Sequence, residues 1–507
     1  MPEFGRERQS GEEAMNASFS RREALQRAGF GAAATLLLGR RPAAAAPTAG
    51  AAPADARRPN IVLAMTDDQG WGDTGYNGHP RLKTPNLDAM AAAGLRFDRF
   101  HSASPVCSPT RGSVLTGRHP DRFGCFSHGY PLRLQELTLA QVLKDAGYAT
   151  GHFGKWHLNG KAGPGVPVRA DDPLNPGAFG FEEWCSVSNF FDLDGGFGRN
   201  GVPEGFTGDS SDAAMAEAIR FIRDSVTKGR PFFAVVWYGS PHGPHKALPE
   251  DKKDYAGQSG DQGDYFGELT AVDRTVGLLR ATLRELGVAE NTIFWFCSDN
   301  GGAAGEESVG GLRGRKGTLW EGGVRVPGLI EWPAAIPAPR TTALPATTMD
   351  IFPTIVDLLG LTPARRVEPL DGLSLAPLIR GPVETRAKPI PFSWREAKKG
   401  ASNTDDPGAA IIDNDLKLLR IGSGNGATWE LYDLAADPKE TKDLADGRPA
   451  DVARLRSALE DWLASVERSL EGKDYPEGRL TRPDPGRTRL TPDEQNWRGS
   501  PPAGPAS

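Results

Sequence analysis

Three apolar runs, each cut off by polar loop residues, constrain this chain more than any other feature. Residues 61–65 run apolar and stop in Thr66-Asp67-Asp68-Gln69-Gly70. Residues 231–237 do the same before Ser240-Pro241-His242-Gly243-Pro244-His245, and residues 292–298 before Asp299-Asn300-Gly301-Gly302. Continuous apolar runs of this length fit strands buried on both faces. Between them, residues 212–227 carry Ala, Ile and Phe at helical spacing, and residues 265–286 read as a second helix. Further helices are expected from residue 86 and over 136–146, and a short strand over 149–153. Alternating strands and helices predict an α/β architecture: a large mixed sheet, mostly parallel, flanked by helices.

A chain of 507 residues has room for two or three domains, or one large domain with an appendage. Residues 57–380 hold the strand and helix alternation. Residues 381–470 read as a small C-terminal α+β domain, with hairpin patterns over 410–420 and 428–434 and a helix over 452–469. Residues 471–507 are rich in Pro, Arg, Gly and Asp, which fits an extended wrap or disorder. Residues 1–56 form a leader. In it, Ser20-Arg21-Arg22-Glu23-Ala24-Leu25 precedes an apolar run and an Ala/Pro-rich linker. This resembles a bacterial twin-arginine export signal, and a basic tail is the alternative. Export to the periplasm or beyond, with the export machinery as a partner, is the expectation.

Composition excludes several functions. Net charge is −6, so no global basic field exists to hold nucleic acid. No apolar stretch reaches the roughly 18 residues that span a bilayer. The four cysteines, Cys107, Cys125, Cys185 and Cys297, lack both disulfide-scaffold density and zinc spacing.

The chemistry-bearing residues follow the strands. In open α/β sheets, ligands bind beyond the carboxyl ends of strands, so these loops converge there. Asp67, Asp68, Asp299 and Asn300 offer hard oxygen ligands suited to Ca²⁺ or Mg²⁺. Either pair alone also reads as a turn or cap. Gly154-Lys155-Trp156-His157 puts a lysine and a histidine on one side of an extended chain, or on a solvated loop. Prolines bracket His242 and fix its backbone. Arg313 to Lys316 is a surface patch or, with its glycines, a ligand-approach loop. The remaining segment is Cys107-Ser108-Pro109-Thr110-Arg111, continuing to Leu115-Thr116-Gly117-Arg118. Its structural reading is a helix start with Pro109 at the first helical position and a buried cysteine.

Together these segments resemble the type I, formylglycine-dependent sulfatases, of the arylsulfatase and carbohydrate sulfatase kind. Cys-x-Pro-x-Arg with Leu-Thr-Gly-Arg is their signature, and the other segments fall in the family's order from about residue 59 to 444. So do Asp350-Ile351-Phe352-Pro353-Thr354 and Leu431-Tyr432-Asp433-Leu434 with Asp437-Pro438. Asn159 stands where many relatives have glycine. The resemblance implies the alkaline phosphatase superfamily fold and hydrolysis of sulfate monoesters of sugars or aryl groups. It implies that a formylglycine-generating enzyme oxidises Cys107 to an aldehyde whose hydrate attacks sulfur, giving a covalent sulfate intermediate. Asp67, Asp68, residue 107, Asp299 and Asn300 hold Ca²⁺, or Mg²⁺ in its place. Arg111 and Lys155 orient the nucleophile, Asp299 deprotonates it, and His242 with Lys316 assists the leaving alcohol. His157 then triggers sulfate release. Two other readings stand beside it: a phosphonate monoester or phosphodiester hydrolase of the same superfamily, and a silent binding protein. Specificity is expected in loops over 184–206, where aromatics either stack on a sugar or cover the core.

Overall fold

The computed structural model describes residues 58–258, 260–305, 307–395, 406–422, 426–483 and 486–496. The leader and its twin-arginine pattern lie outside the described residues. At the centre stands Asn60–Thr66, with every residue buried. It pairs in parallel with Thr292–Ser298 on one side and Phe232–Trp237 on the other. Ala149–Lys155 and Glu183–Val187 continue the parallel block. Antiparallel pairings flank the block on both sides: Gly328–Glu331 with Leu95–Phe97, and Gly196–Arg199 with Val202–Gly205. Arg340–Thr342 completes a sheet of ten strands.

Strand alternation divides the core into two layers. Ile61, Leu63, Met65, Phe233, Val235, Trp237, Ile293 and Trp295 face one layer. Val62, Ala64, Phe232, Ala234, Val236, Phe294 and Phe296 face the other. This is why those runs read as apolar without a period: both faces of the sheet are covered by helices. Ser210–Thr227, capped by Asp209, and Gly260–Glu285 pack on the second layer through residues such as Ala218, Ile222, Val272 and Leu279. The helix expected from residue 136 begins at Leu139, because Thr138 and Gln141 form a capping box there.

Residues 184–206 are only partly loop: 188–195 connect strands and carry Phe190. Three strands, Glu183–Val187, Gly196–Arg199 and Val202–Gly205, build the sheet edge. The glycines that disguise them serve close packing: a Cβ on Gly198 would meet Val168 O at 1.7 Å. Phe191 and Phe197 are buried in the second layer and do cover the core.

The described residues from 58 to 496 form one compact unit. Within it a four-stranded antiparallel sheet runs in the order Ile390–Ser393, Pro407–Asp413, Leu416–Ile421 and Thr428–Asp433. Its Phe392, Ile412, Leu419 and Tyr432 share a cluster with Ala103, Val106, Trp320 and Met349. A buried charge network reinforces that join. Lys417 Nζ lies 2.8 Å from Glu321 Oε1 and 2.9 Å from Glu440 Oε1, and His101 Nε2 is 3.1 Å from Glu321 Oε2. Pro449–Leu470 packs as a helix on the outer face of this sheet through Leu455 and Leu459.

Candidate active site

Every sequence-expected site residue comes to the carboxyl end of the parallel block. Asp67 and Asp68 leave the central strand directly, and Asp67 N donates to Ser240 O at 3.1 Å. Asp68 adopts a left-handed φ of 68°, which turns its carboxylate back toward the strand ends. Asp299 leaves the neighbouring strand, its amide donating to Thr66 O at 3.1 Å. Lys155 ends Ala149–Lys155 and is fully buried, as are Asp67, Asp299 and Asn300.

Cys107 opens the helix Cys107–Thr116, with Val106 as the N-cap residue. Pro109 is therefore the third helical residue, not the first. It fits because the first amides of a helix have no carbonyl partner to lose. Burial pushes the Cys107 thiol up to about 12, against the lowering pull of Lys155 and Lys316. A protonated thiol is a poor nucleophile, so the geometry disfavours Cys107 acting as a thiolate.

Around it, three carboxylates meet three cations. Arg111 donates to Asp299 Oδ2 from Nη2 at 2.6 Å and from Nε at 3.1 Å, and to Lys155 O from Nη1. Its guanidinium lies over the Trp237 ring at 5.2 Å. Lys155 Nζ donates to Asp67 Oδ2, and Lys316 Nζ donates to Asp68 Oδ2 at 2.6 Å. Burial opposes ionisation of Asp67, but Lys155, His242, Arg111 and Lys316 outweigh it and hold its carboxyl well below the usual range. Burial and the Asp67 charge push Asp299 the other way, up to about 7.

Metal fit follows from atoms left over. Asp67 Oδ1 and Asn300 Oδ1 are buried with no hydrogen-bond donor among the described residues. Arg111 Nη2 stands 3.8 Å from Asp67 Oδ1, too far for a hydrogen bond. Asn300 Nδ2 donates to Asp68 Oδ1 at 2.8 Å and to Gly301 O at 3.0 Å, which leaves its oxygen as the unused acceptor. Ligand atoms of Asp67, Asp68, Cys107 and His242 lie within 4.8 Å of one another. A hard divalent cation fits these oxygens. Asp299 sits beside this group with its oxygens turned to Arg111 and the Asp68 amide. With Asp299 only partly ionised near neutrality, the three cations already match or exceed the carboxylate charge, so a divalent ion leaves surplus positive charge, which suits an anionic substrate group.

Burial holds both histidines below the ordinary imidazole range, for His242 against the pull of Asp67 and Asp68. His157 is buried with φ 53°, and its Nδ1 has no partner among the described residues. Burial, Lys155 and Arg111 hold it well below the ordinary imidazole range, so it is a neutral proton acceptor. His242 Nδ1 is 2.7 Å from Gly243 O, which fixes Nδ1 as the donor and aims Nε2 at the site, 3.7 Å from Asp68 Oδ2. The ring of Phe190 stacks on His242 at 4.6 Å with an interplanar angle of 10°. His245 lies outside this cluster, paired with Asp261 at 3.0 Å.

The 184–206 aromatics were expected to stack on a sugar or cover the core, and Phe190 instead stacks on His242; sequence reading missed a support beneath the Asp67 and Asp68 carboxylates. Asp73 accepts from Gly70 N at 2.8 Å and from Tyr265 and Ser308 hydroxyls. Gly70 and Gly302 both press on Ser308, leaving no room for a Cβ. The spacing of Gly70, Gly72 and Asp73 after Asp68 was the available signal.

The Sulfatase family model matches residues 59–361, and that of the N-sulphoglucosamine sulphohydrolase C-terminal region matches 315–469. The chain belongs to the sulfatase family. Human (Homo sapiens) arylsulfatase A is 33% identical over 80% of this chain and 87% of its own length. N-acetylgalactosamine-6-sulfatase of Canis lupus familiaris is 35% identical over 64% and 66%. Among solved structures, Ps i-CgsB in complex with k-i-k-neocarrahexaose superposes with a TM-score of 0.70 at 27% identity, covering 87% of this chain and 97% of that one. This sulfatase is thus a sulfuric ester hydrolase with an alkaline-phosphatase-like fold. Sulfatases generally work with a formylglycine made from the motif cysteine and with a divalent metal. Matches to sulfatase models along both parts of the chain favour sulfate esters over the phosphonate or phosphodiester reading. No helix among the described residues is long and apolar enough to cross a membrane.

Proposed function

We propose that this sulfatase removes sulfate from a sulfated saccharide, with residue 107 as nucleophile and Ca²⁺ as the metal. The observation that carries the reading is the buried cluster around Cys107: a protonated thiol at a helix start, facing Lys155, Lys316 and the Asp67–Asp68 carboxylates. The saccharide substrate draws support from relatives whose names carry a sulfated sugar. Ca²⁺ suits the orphaned oxygens of Asp67 and Asn300, with Asp68 and residue 107 beside them and Asp299 adjoining. When bound, it supplies positive charge to sulfuryl oxygens and to the nucleophile. Conversion of Cys107 to formylglycine supplies an aldehyde, which the buried thiol does not offer.

This chain's own residues then divide the work. Arg111 fixes Asp299 through two N–H groups, and Asp299 takes a proton from residue 107. Lys155 and Lys316 offset charge on the sulfuryl oxygens, together with the free amides of the helix start. His242 takes a proton from solvent at Nε2 while Nδ1–H stays on Gly243 O, and passes it from Nε2 to the departing alcohol oxygen. His157, neutral, accepts the proton that lets sulfate leave. The twin-arginine pattern at Arg21-Arg22 supports export before or with this activity.

The test is sulfate release from a panel of 6-sulfated galactose and N-acetylgalactosamine saccharides, with 4-nitrophenyl sulfate and a phosphodiester as references. Release from sulfated sugars and 4-nitrophenyl sulfate supports the reading. Turnover of the phosphodiester alone overturns it.

A further inference from the structure

Glu268 is a buried carboxyl that core packing does not account for. It belongs to the helix Gly260–Glu285 and is only 1% exposed. It shares a helix face with Val272 and Leu279, which pack in the second core layer. A carboxyl in that place costs burial free energy that an apolar side chain does not. Burial keeps the group well above the ordinary carboxylate range. Its Oε1 accepts from Lys246 N at 2.6 Å, and the Ser240 hydroxyl hydrogen-bonds to the same carboxyl. Those two partners bracket Pro241 to His245, the segment that carries His242.

That segment is a short bridge between two anchors. At its start, Ser240 O accepts from Asp67 N at 3.1 Å, which ties it to the metal carboxylates. At its end, the helix holds it repeatedly. His245 Nδ1 lies 3.0 Å from Asp261 Oδ1, the His245 ring meets the Tyr265 ring edge-on at 5.0 Å, and Ala247 N donates to Asp264 Oδ1 at 3.0 Å. Asp261, Asp264, Tyr265 and Glu268 stand at i, i+3, i+4 and i+7, so one helix face makes all of these contacts. Pro241 and Pro244 restrict the backbone between the anchors. His242 stands in the middle, and Glu268 is the one residue of the helix face that reaches both ends.

We propose that Glu268 is a positioning residue that locks the Ser240–Lys246 bridge and so keeps His242 Nε2 in line with the departing alcohol oxygen. The proposal rests on the role given to His242 in the sulfatase reading and deepens it. The lock needs a hydrogen-bond acceptor and not a charge, so glutamine meets the need and alanine does not.

The experiment measures steady-state kinetics of full-length wild type, Glu268→Ala and Glu268→Gln on 4-nitrophenyl sulfate and phenyl sulfate, with hydrogen–deuterium exchange of the same proteins. Phenolate is the poorer leaving group and depends more on His242. Glu268→Ala is expected to lose at least about ten-fold more kcat on phenyl sulfate than on 4-nitrophenyl sulfate, and Glu268→Gln to stay within about three-fold of wild type on both. Exchange is expected to quicken in peptides covering 239–247 in the alanine variant, with 149–158 unchanged and glutamine restoring protection. If Glu268→Ala does not fold, Asp264→Ala removes the neighbouring anchor from a more exposed position and is expected to show the same leaving-group pattern. Equal losses on the two esters, a glutamine variant no better than alanine, or unchanged exchange over 239–247 each overturn the proposal. Wild type that turns over neither ester overturns the sulfatase reading instead, and the exchange measurement still decides the lock.

Discussion

Arg111 grips Asp299 through two N–H groups on one carboxylate oxygen, at 2.6 and 3.1 Å, with both side chains fully buried. The fork spans Asp299 and the Lys155 carbonyl at once. A lysine ammonium cannot reproduce that planar arrangement. Arg111→Lys is therefore expected to lower kcat/KM on 4-nitrophenyl sulfate by about a hundred-fold or more. A thermal melt alongside the kinetics checks that the variant is folded.

Phe190 holds the face of His242. If His242 protonates the leaving alcohol, loss of the stack matters most where the leaving group is a poor one. Phe190→Ala is expected to cost about ten-fold in kcat on a sugar sulfate and clearly less on 4-nitrophenyl sulfate. Phe190→Tyr restores most of the loss. Steady-state kinetics on both substrates reads the difference, and equal losses on the two contradict it.

Lys417 sits fully buried between Glu321 and Glu440. Removing its charge strands two carboxylates away from water. Lys417→Met is expected to destabilise the protein by about 3–5 kcal/mol, read by denaturant unfolding. Activity per folded molecule should change little, because this network joins the sheets and touches no site residue.

Asp371 carries a second buried pair, with Arg122 Nε at 2.7 Å, and it also accepts from His119 N and Trp462 Nε1. Burial works against its charge, yet Arg122 and these donors hold its carboxyl far below the usual range. The folded state therefore binds this proton less readily than the unfolded one. The stabilisation is complete above the unfolded carboxylate value of about 3.9 and fades as pH falls below it. Asp371→Asn is expected to cost about 3 kcal/mol at neutral pH, with the gap to wild type narrowing in acid. Urea unfolding at several pH values measures it.

Chelation is expected to abolish turnover and added Ca²⁺ to restore it, with a lower melting temperature in the stripped protein. Binding to the native state alone raises stability by mass action. Calorimetry with and without chelator reads this independently of activity.

Much of this was legible in the residues because the site hangs on strand ends. Ile293 to Ser298 and Phe232 to Trp237 are apolar on both faces, so their loops had to emerge at one edge. The small sheet and its helix were equally visible in the hairpin patterns over 410–420 and 428–434 and the helical pattern over 452–469. The edge strand at Gly196–Arg199 was not, since Gly198 is there for backbone approach and erases the strand pattern. The aromatics of 184–206 were noticed, but the stack of Phe190 on His242 was not, because the two are distant in sequence. The strand at Thr488–Arg489 escaped because it is stabilised by Gly160 and Lys161, not by any pattern of its own.

The central claim is that residue 107 is made into an aldehyde, and the peptide mass around it tests this most directly. The protein is taken from a host that installs formylglycine. The account predicts a loss of about 18 Da relative to cysteine, the signature of thiol-to-aldehyde conversion. An intact Cys107 thiol in fully active enzyme would contradict it, and an intact thiol in inactive protein would favour a silent binding role.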